Sequence, residues 1–297
     1  MRNAQLIELL MEIKIPQFYG VLHEVNQYVD DSTNLIGSNT KEEMEKYLES
    51  YHKVIETYYS ANKLKINSDK TQLIITRKKW KDKTDEKVKF KTKEGDTIRE
   101  VNALRVLGFI KNNRDSYDSH LGQVNGRVVK TLAELKPYTK HMDQNTRKEI
   151  IYSKVASIAL YGCELFTGQT EWTTSKFTSI LMKCNREIFQ RDWFKVSNSR
   201  ICKEIKVDHP IEIIKKSTLK FMHKLIWTKS PDQLYDKLKF NTKHRECSNI
   251  SVKCPVSKLA NRRTPIYTGL ELYNSMSIRL KLTRPKRFKF LLKKMKL

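Results

Sequence analysis

The sequence predicts an α+β fold in two parts, a small piece of strands and one helix over residues 1–116 and an all-helical piece over 117–297. Two observations predict it. Short apolar runs bounded by turn residues are confined to the first part, whereas apolar residues recur at spacings of three and four in the second. The polar stretch "KNNRDSYD", residues 111–118, separates the two.

Taken in order, residues 1–20 read as a short helix cut off by Pro16 and Gly20. Residues 25–29 and 33–37 read as strands joined by a tight Asp30-Asp31-Ser32 turn, a β-hairpin. A helix is expected over 41–61, because Thr40 with Glu43 three positions later forms a capping box. Met44, Tyr47, Leu48, Tyr51, Ile55, Tyr58 and Tyr59 give it one broad apolar face. "KLKIN" and "TQLIITRK" return as strands. Residues 78–96 are nearly all charged, contain the turn signal "KEGD", and are expected to form an exposed, poorly packed loop or ribbon. "ALRVLGFI", 103–110, reads as one strand.

Beyond 117, Leu121, Val124, Val128, Leu132 and Leu135 mark an amphipathic helix over 118–136 that Pro137 should end. A helix over 143–161 is capped near Asp143, with Ile150, Ile151, Val155 and Ile158 on one side. Further helices are expected at 174–190, at 210–228 with Pro210 in the first turn, and at 231–239 with a Ser230 cap. Residues 241–265 read as a basic loop, and "RPKRFKFLLKKMKL" closes the chain as a basic amphipathic segment.

Charge narrows the function classes. The 297 residues carry 58 Lys+Arg against 33 Asp+Glu, a net charge of +25. Such an excess favours a polyanion, and its spread along the chain points to nucleic acid rather than a membrane surface. The N-terminal run holds Glu8, Glu12 and Lys14, which argues against a signal peptide or a membrane span. Five cysteines at irregular spacing fit a reducing compartment. The chain is therefore expected to be intracellular, with nuclear and cytoplasmic residence both open.

The Asp30-Asp31 doublet is the chemically loaded feature. Neighbouring carboxylates repel unless a cation lies between them, and hard oxygen ligands on a sharp hairpin suit Mg²⁺. In phosphoryl transfer such ions hold the attacking and leaving oxygens. The alternative is a solvated turn in which aspartate merely caps the bend.

Three stretches, "QYVDDSTNLI", "NKLKINSDKTQLII" and "LRVLGFI", with a capped helix between the first two, resemble the palm of reverse transcriptases from non-LTR (LINE-type) retrotransposons. The matching residues are Tyr28–Asp31, Leu64–Thr71 and Leu107-Gly108. The helices after 117 resemble that family's thumb. "ALYGCELF", 159–166, is similar to a tyrosine-glycine element there, and "IYTGLELYNSM", 266–276, to a segment near the end of such reading frames.

The resemblance implies an incomplete polymerase-type palm followed by a thumb-like region. It implies an RNA-directed DNA polymerase, a nucleotidyltransferase acting on an RNA template and a DNA primer. Asp30 would be the principal Mg²⁺ ligand and Asp31 the supporting one, with Lys70 near the incoming phosphates. Leu107 and Gly108 would grip the primer end, and Arg127 and Lys130 would track the duplex. The family's palm also needs an aspartate on an earlier strand and a fingers region, and the 27 residues before Tyr28 contain no Asp. The expectation is a chain that starts inside the palm, binds Mg²⁺ weakly or not at all, and is inactive alone. A catalytically dead basic nucleic-acid-binding remnant is the alternative.

His244, Cys247 and Cys254 lie in the basic loop, but three candidates at this spacing match no four-ligand zinc pattern, so zinc is not expected. Cys163, Cys184 and Cys202 fall in apolar stretches and read as core fillers. "DWFKVSNSR" and the terminal segment mix rings with cations, fitting either backbone binding with base stacking or helix packing with solvated lysines. Gly122 and Gly126 permit close backbone approach, with a neighbouring helix the expected occupant.

Overall fold

The computed structural model describes residues 22–28, 31–38, 40–76, 87–114, 116–190, 193–236, 238–240, 252–253 and 264–295. The chain divides into two compact units, residues 1–119 and 120–297. The combination is mixed helix and small antiparallel hairpins, compatible with an α+β class.

In the first unit β1 (Leu22–Tyr28) and β2 (Asp31–Gly37) pair antiparallel, with Tyr28 opposite Asp31. The second strand thus begins at Asp31, two residues before the expected start, because pairing runs up to a two-residue connection, the favoured hairpin length. Helix α1 (Lys41–Ala61) has the expected bounds, and the Glu43 N–H donates to the Thr40 hydroxyl at 3.2 Å. Its Met44, Tyr47, Leu48 and Tyr51 are buried, and the Tyr51 hydroxyl donates to Asn34 Oδ1 at 2.7 Å, tying the helix to β2.

The charged run is the main correction here. Instead of an exposed ribbon, β3 (Lys89–Lys91) and β4 (Thr97–Arg99) form a hairpin whose turn needs a positive φ of 92° at Gly95. Val88, Phe90 and Ile98 point inward and pack with Met44, Leu48 and Ile75. Val88, Phe90 and Thr92 face inward while Lys89, Lys91 and Lys93 take the water side, a period of two hidden under the charge.

Residues 64–76 form no regular strand; Leu73 makes a single parallel bridge to Glu100. The expected strand over 103–110 is a hairpin of its own, β5 (Ala103–Val106) and β6 (Phe109–Asn112), with Val106 opposite Phe109. Among the described residues all sheets are two-stranded, so β1–β2 shares no sheet with the later hairpins.

The second unit is built on helices. Helix α2 (Asp118–Thr139) buries Leu121, Val124 and Val128, and it continues through Pro137 rather than stopping there. One lost hydrogen bond in the last turn is tolerated because Thr139, fully buried, anchors the end by donating to Glu187 at 3.0 Å. The expected helix over 143–161 is interrupted: α3 (Gln144–Ile151), capped by Asp143, passes through a π turn at Tyr152–Ala156 into α4 (Ser157–Leu160). The wider turn keeps Ile151, Val155 and Ala156 all buried while the Tyr152 hydroxyl donates to buried Asn185 at 3.1 Å.

Helix α5 (Glu171–Phe189) supplies the centre of the core, with Phe177, Leu181, Met182, Cys184 and Ile188 fully buried. After α6 (Asn198–Glu204), helix α7 (Pro210–Thr228) begins at Pro210 as expected. The next helix, α8 (Asp232–Tyr235), is four residues long and is preceded by Pro231 without a side-chain cap, so neither its expected length nor a Ser230 cap is realised. Lys239–Phe240 instead pairs with Val252–Lys253.

Helices α9 (Pro265–Asn274) and α11 (Pro285–Lys294), with the short α10 (Ile278–Lys281) between them, follow in the chain. The two longer ones pack against α7 through Leu219, Met222, Leu225, Leu270, Tyr273, Phe288 and Leu292. The terminal basic segment is thus a packed amphipathic helix. Gly269 belongs there because an added Cβ would lie 2.8 Å from the Met222 Cγ. His223 sits at the centre, its ring stacked 3.8 Å from Phe288 and its Nε2 2.9 Å from the Thr283 carbonyl.

Candidate nucleic-acid interface

Asp30 lies outside the described residues. For Asp31 the backbone alone is described, and it opens β2 opposite Tyr28. Among the described residues no group of three or more His, Cys, Asp or Glu side chains could hold a metal ion. His244, Cys247 and Cys254 are outside the described residues as well.

Lys70 stands on an exposed turn built by Asn67. The Asn67 side-chain oxygen accepts from the Lys70 N–H at 3.2 Å, and its carbonyl accepts from the Thr71 hydroxyl at 3.0 Å. The Asn-x-x-Lys-Thr spacing therefore has a local cause, a turn closed by both oxygens of Asn67 that presents the lysine stem to water. Leu64 of the same stretch is 57% exposed.

Leu107 and Gly108 are the two loop residues of the β5–β6 hairpin, with φ of +46° and +86°. Two positive φ values make the mirror-image turn that matches strand twist, a turn in which asparagine before glycine is the ordinary choice. A leucine in the left-handed region costs roughly 1 kcal/mol. This one is also 49% exposed.

In the second unit Arg127 and Lys130 lie exposed on α2. Gly122 and Gly126 precede them on the same helix, and a Cβ at either would meet nothing within 4 Å. Among the described residues no helix takes the place expected beside them, so the glycines leave the backbone open near the two cations. The tyrosine-glycine element closes α4: Gly162 takes a φ of +62°, which turns the chain into a 3-10 segment at Cys163–Phe166 and leaves Tyr161 exposed.

A basic concavity was not foreseen. Lys136 and Lys140, one turn apart near the end of α2, face Lys183, Arg186, Glu187 and Gln190 at the end of α5, around a cavity of about 660 Å³. The i,i+4 spacing of Lys136 and Lys140 is visible in the sequence, but their opposing wall arrives more than 40 residues later and carries no local signal.

Cys163, Cys184 and Cys202 are buried free thiols. Burial pushes all three upward, Cys184 to about 12, so they remain protonated core fillers rather than nucleophiles. No helix among the described residues is long and apolar enough to cross a membrane. No protein-family model, curated protein or solved structure matches the chain.

Proposed function

We propose that this chain is the palm end and thumb of a non-LTR retrotransposon reverse transcriptase, and that its part in the reaction is to hold the RNA template and DNA primer. The observation that carries the reading is the exposed, left-handed Leu107 followed by Gly108 at a two-residue hairpin. Sparsely populated backbone conformations of this kind cluster at sites where a protein meets its ligand. The order of features adds support: the Asp-Asp hairpin, the capped helix α1, the Asn67 turn, the Leu-Gly hairpin and then a basic helix follow the family's sequence.

In this reading Asp30 and Asp31 are the carboxylates offered to Mg²⁺, which when bound would stabilise charge on a transferring phosphoryl group. Among the described residues no group of three or more possible metal ligands is found. The separate two-stranded sheets favour the second reading, a basic chain that binds nucleic acid without polymerising it.

Primer extension on an RNA template tests both. The expected outcome is salt-sensitive binding of the hybrid, no nucleotide incorporation, and no change on Asp30→Ala. Incorporation that disappears in Asp30→Ala would show a working catalytic pair and overturn the inactive reading. Failure to bind the hybrid at low salt would overturn both readings.

A further inference from the structure

We infer that the concavity between the ends of α2 and α5 binds the phosphodiester backbone of a nucleic-acid strand without reading its bases. The inference rests on the proposed nucleic-acid function and adds a second contact to the Arg127–Lys130 face.

Among the described residues four cations, Lys136, Lys140, Lys183 and Arg186, share this cavity with one carboxylate, Glu187. A bland explanation is that they neutralise the negative ends of two helices, where cations are favoured. The structure assigns that task to another residue. The buried Arg147 guanidinium donates to the Thr139 carbonyl at the end of α2 (3.0 Å) and to the Ile188 carbonyl at the end of α5 (2.7 Å). It also donates to the Met142 carbonyl at 2.5 Å. One side chain thus satisfies a carbonyl at each helix end from inside, without drawing on the four outer cations.

Glu187 does not cancel them either. Its carboxylate accepts from the Thr139 hydroxyl at 3.0 Å and from the Gln190 amide at 3.4 Å, so it is held by neutral donors. Lys183 is aimed by a hydrogen bond to Asn125 Oδ1 at 2.5 Å, and Arg186 donates to Asn198 at 3.1 Å. Among the described residues neither Lys136 nor Lys140 forms an ion pair. Like charges gathered in a concavity repel one another and focus a positive field, and an entering anion relieves both.

The lining also selects the class of anion. Its six described residues all end in charged or polar groups, and none brings a ring to stack on a base. Interactions of this kind position a strand and carry no sequence information. A volume of about 660 Å³ is ample for backbone phosphate and sugar.

The test is the salt dependence of binding by the full chain, followed by fluorescence anisotropy with single-stranded oligonucleotides of uniform and mixed sequence. Lys136 and Lys140 are exposed, so Lys136→Gln/Lys140→Gln should keep the wild-type circular dichroism and melting temperature. Because two cations no longer neutralise phosphates in that variant, the slope of log K against log salt should fall in magnitude by about 1.4, with affinity down roughly tenfold and equally for every sequence. An unchanged slope, while Arg127→Gln/Lys130→Gln weakens binding, overturns the cleft and leaves the proposed function standing. Wild-type protein that binds no oligonucleotide at low salt overturns the proposed function and the cleft together. Release of the strand by inorganic phosphate at matched ionic strength would mark a small-anion site and overturn the assignment to a polymer.

Discussion

The two units differ in how completely each closes on itself. In the second, helices meet across a wide interior: Val128, Ile151, Val155, Phe177, Leu181, Met182, Ile188 and Met222 are all fully buried. Helix ends are closed by Thr170, Asp143, Ser197 and Thr264 caps and by the internal guanidinium of Arg147. Among the described residues of the first unit, one helix and small hairpins share a cluster of six buried residues, of which Val88 alone is completely shielded. Among the described residues these hairpins pair with nothing further, which leaves ladder groups on their outer edges. A helical unit satisfies its backbone within each element, whereas a sheet satisfies it only through neighbours. The difference teaches that the second unit is equipped to stand as a binding body, and that the first depends on what its edges meet.

The largest expected effect sharpens this contrast directly. Phe177 is fully buried with its ring 5.4 Å from that of Phe166. Phe177→Ala should destabilise the second unit by about 3–5 kcal/mol, read as a lower urea midpoint in that unit's transition alone. Phe90→Ala should move the first unit's transition instead. A single transition shifted equally by both would break the comparison.

Gly269→Ala is next, at about 1–3 kcal/mol, because the new methyl must displace the Met222 side chain on α7. Thermal unfolding reads it. A pH effect follows from His223 and His120, whose imidazoles burial holds below their ordinary pKa of 6.5. Between the depressed folded value and 6.5 the unfolded chain takes up protons that the folded chain refuses. Stability should therefore be full above about pH 6.5 and fall as pH drops below it, with a smaller fall in His223→Gln. Urea midpoints across that range measure it.

The smallest effect has the opposite sign. Leu107→Asn should stabilise the β5–β6 hairpin by about 0.5–1 kcal/mol, since asparagine tolerates the left-handed conformation. If Leu107 is kept for contact with nucleic acid, the same change weakens hybrid binding while the fold gains stability. Unaltered binding would overturn a nucleic-acid contact at Leu107.

Much of this was legible in the sequence where one element carried its own signal. Thr40 with Glu43 and the apolar stripe behind them gave α1 to the residue, and the Leu121–Val128 spacing gave α2. The misreadings have physical causes. In residues 88–98 Lys89, Lys91 and Lys93 masked a period of two, which their alternation could have revealed. The β5–β6 turn uses leucine where the usual signal is asparagine, so 103–110 passed for one strand. Pro137 came late enough in α2 for burial of Thr139 to outweigh its missing N–H. The candidate interface was legible only as far as single elements go: Leu107, Gly108, Arg127 and Lys130 stand out in the sequence, whereas the opposed cations of α2 and α5 meet only in the folded unit.

The most direct test is amide hydrogen exchange of the full chain with and without an RNA–DNA hybrid. The account predicts slowed exchange at 103–112, 118–139 and 171–189 when the hybrid is present, and no change in the segment at 265–274. Exchange that is the same with and without hybrid over all three stretches would contradict it.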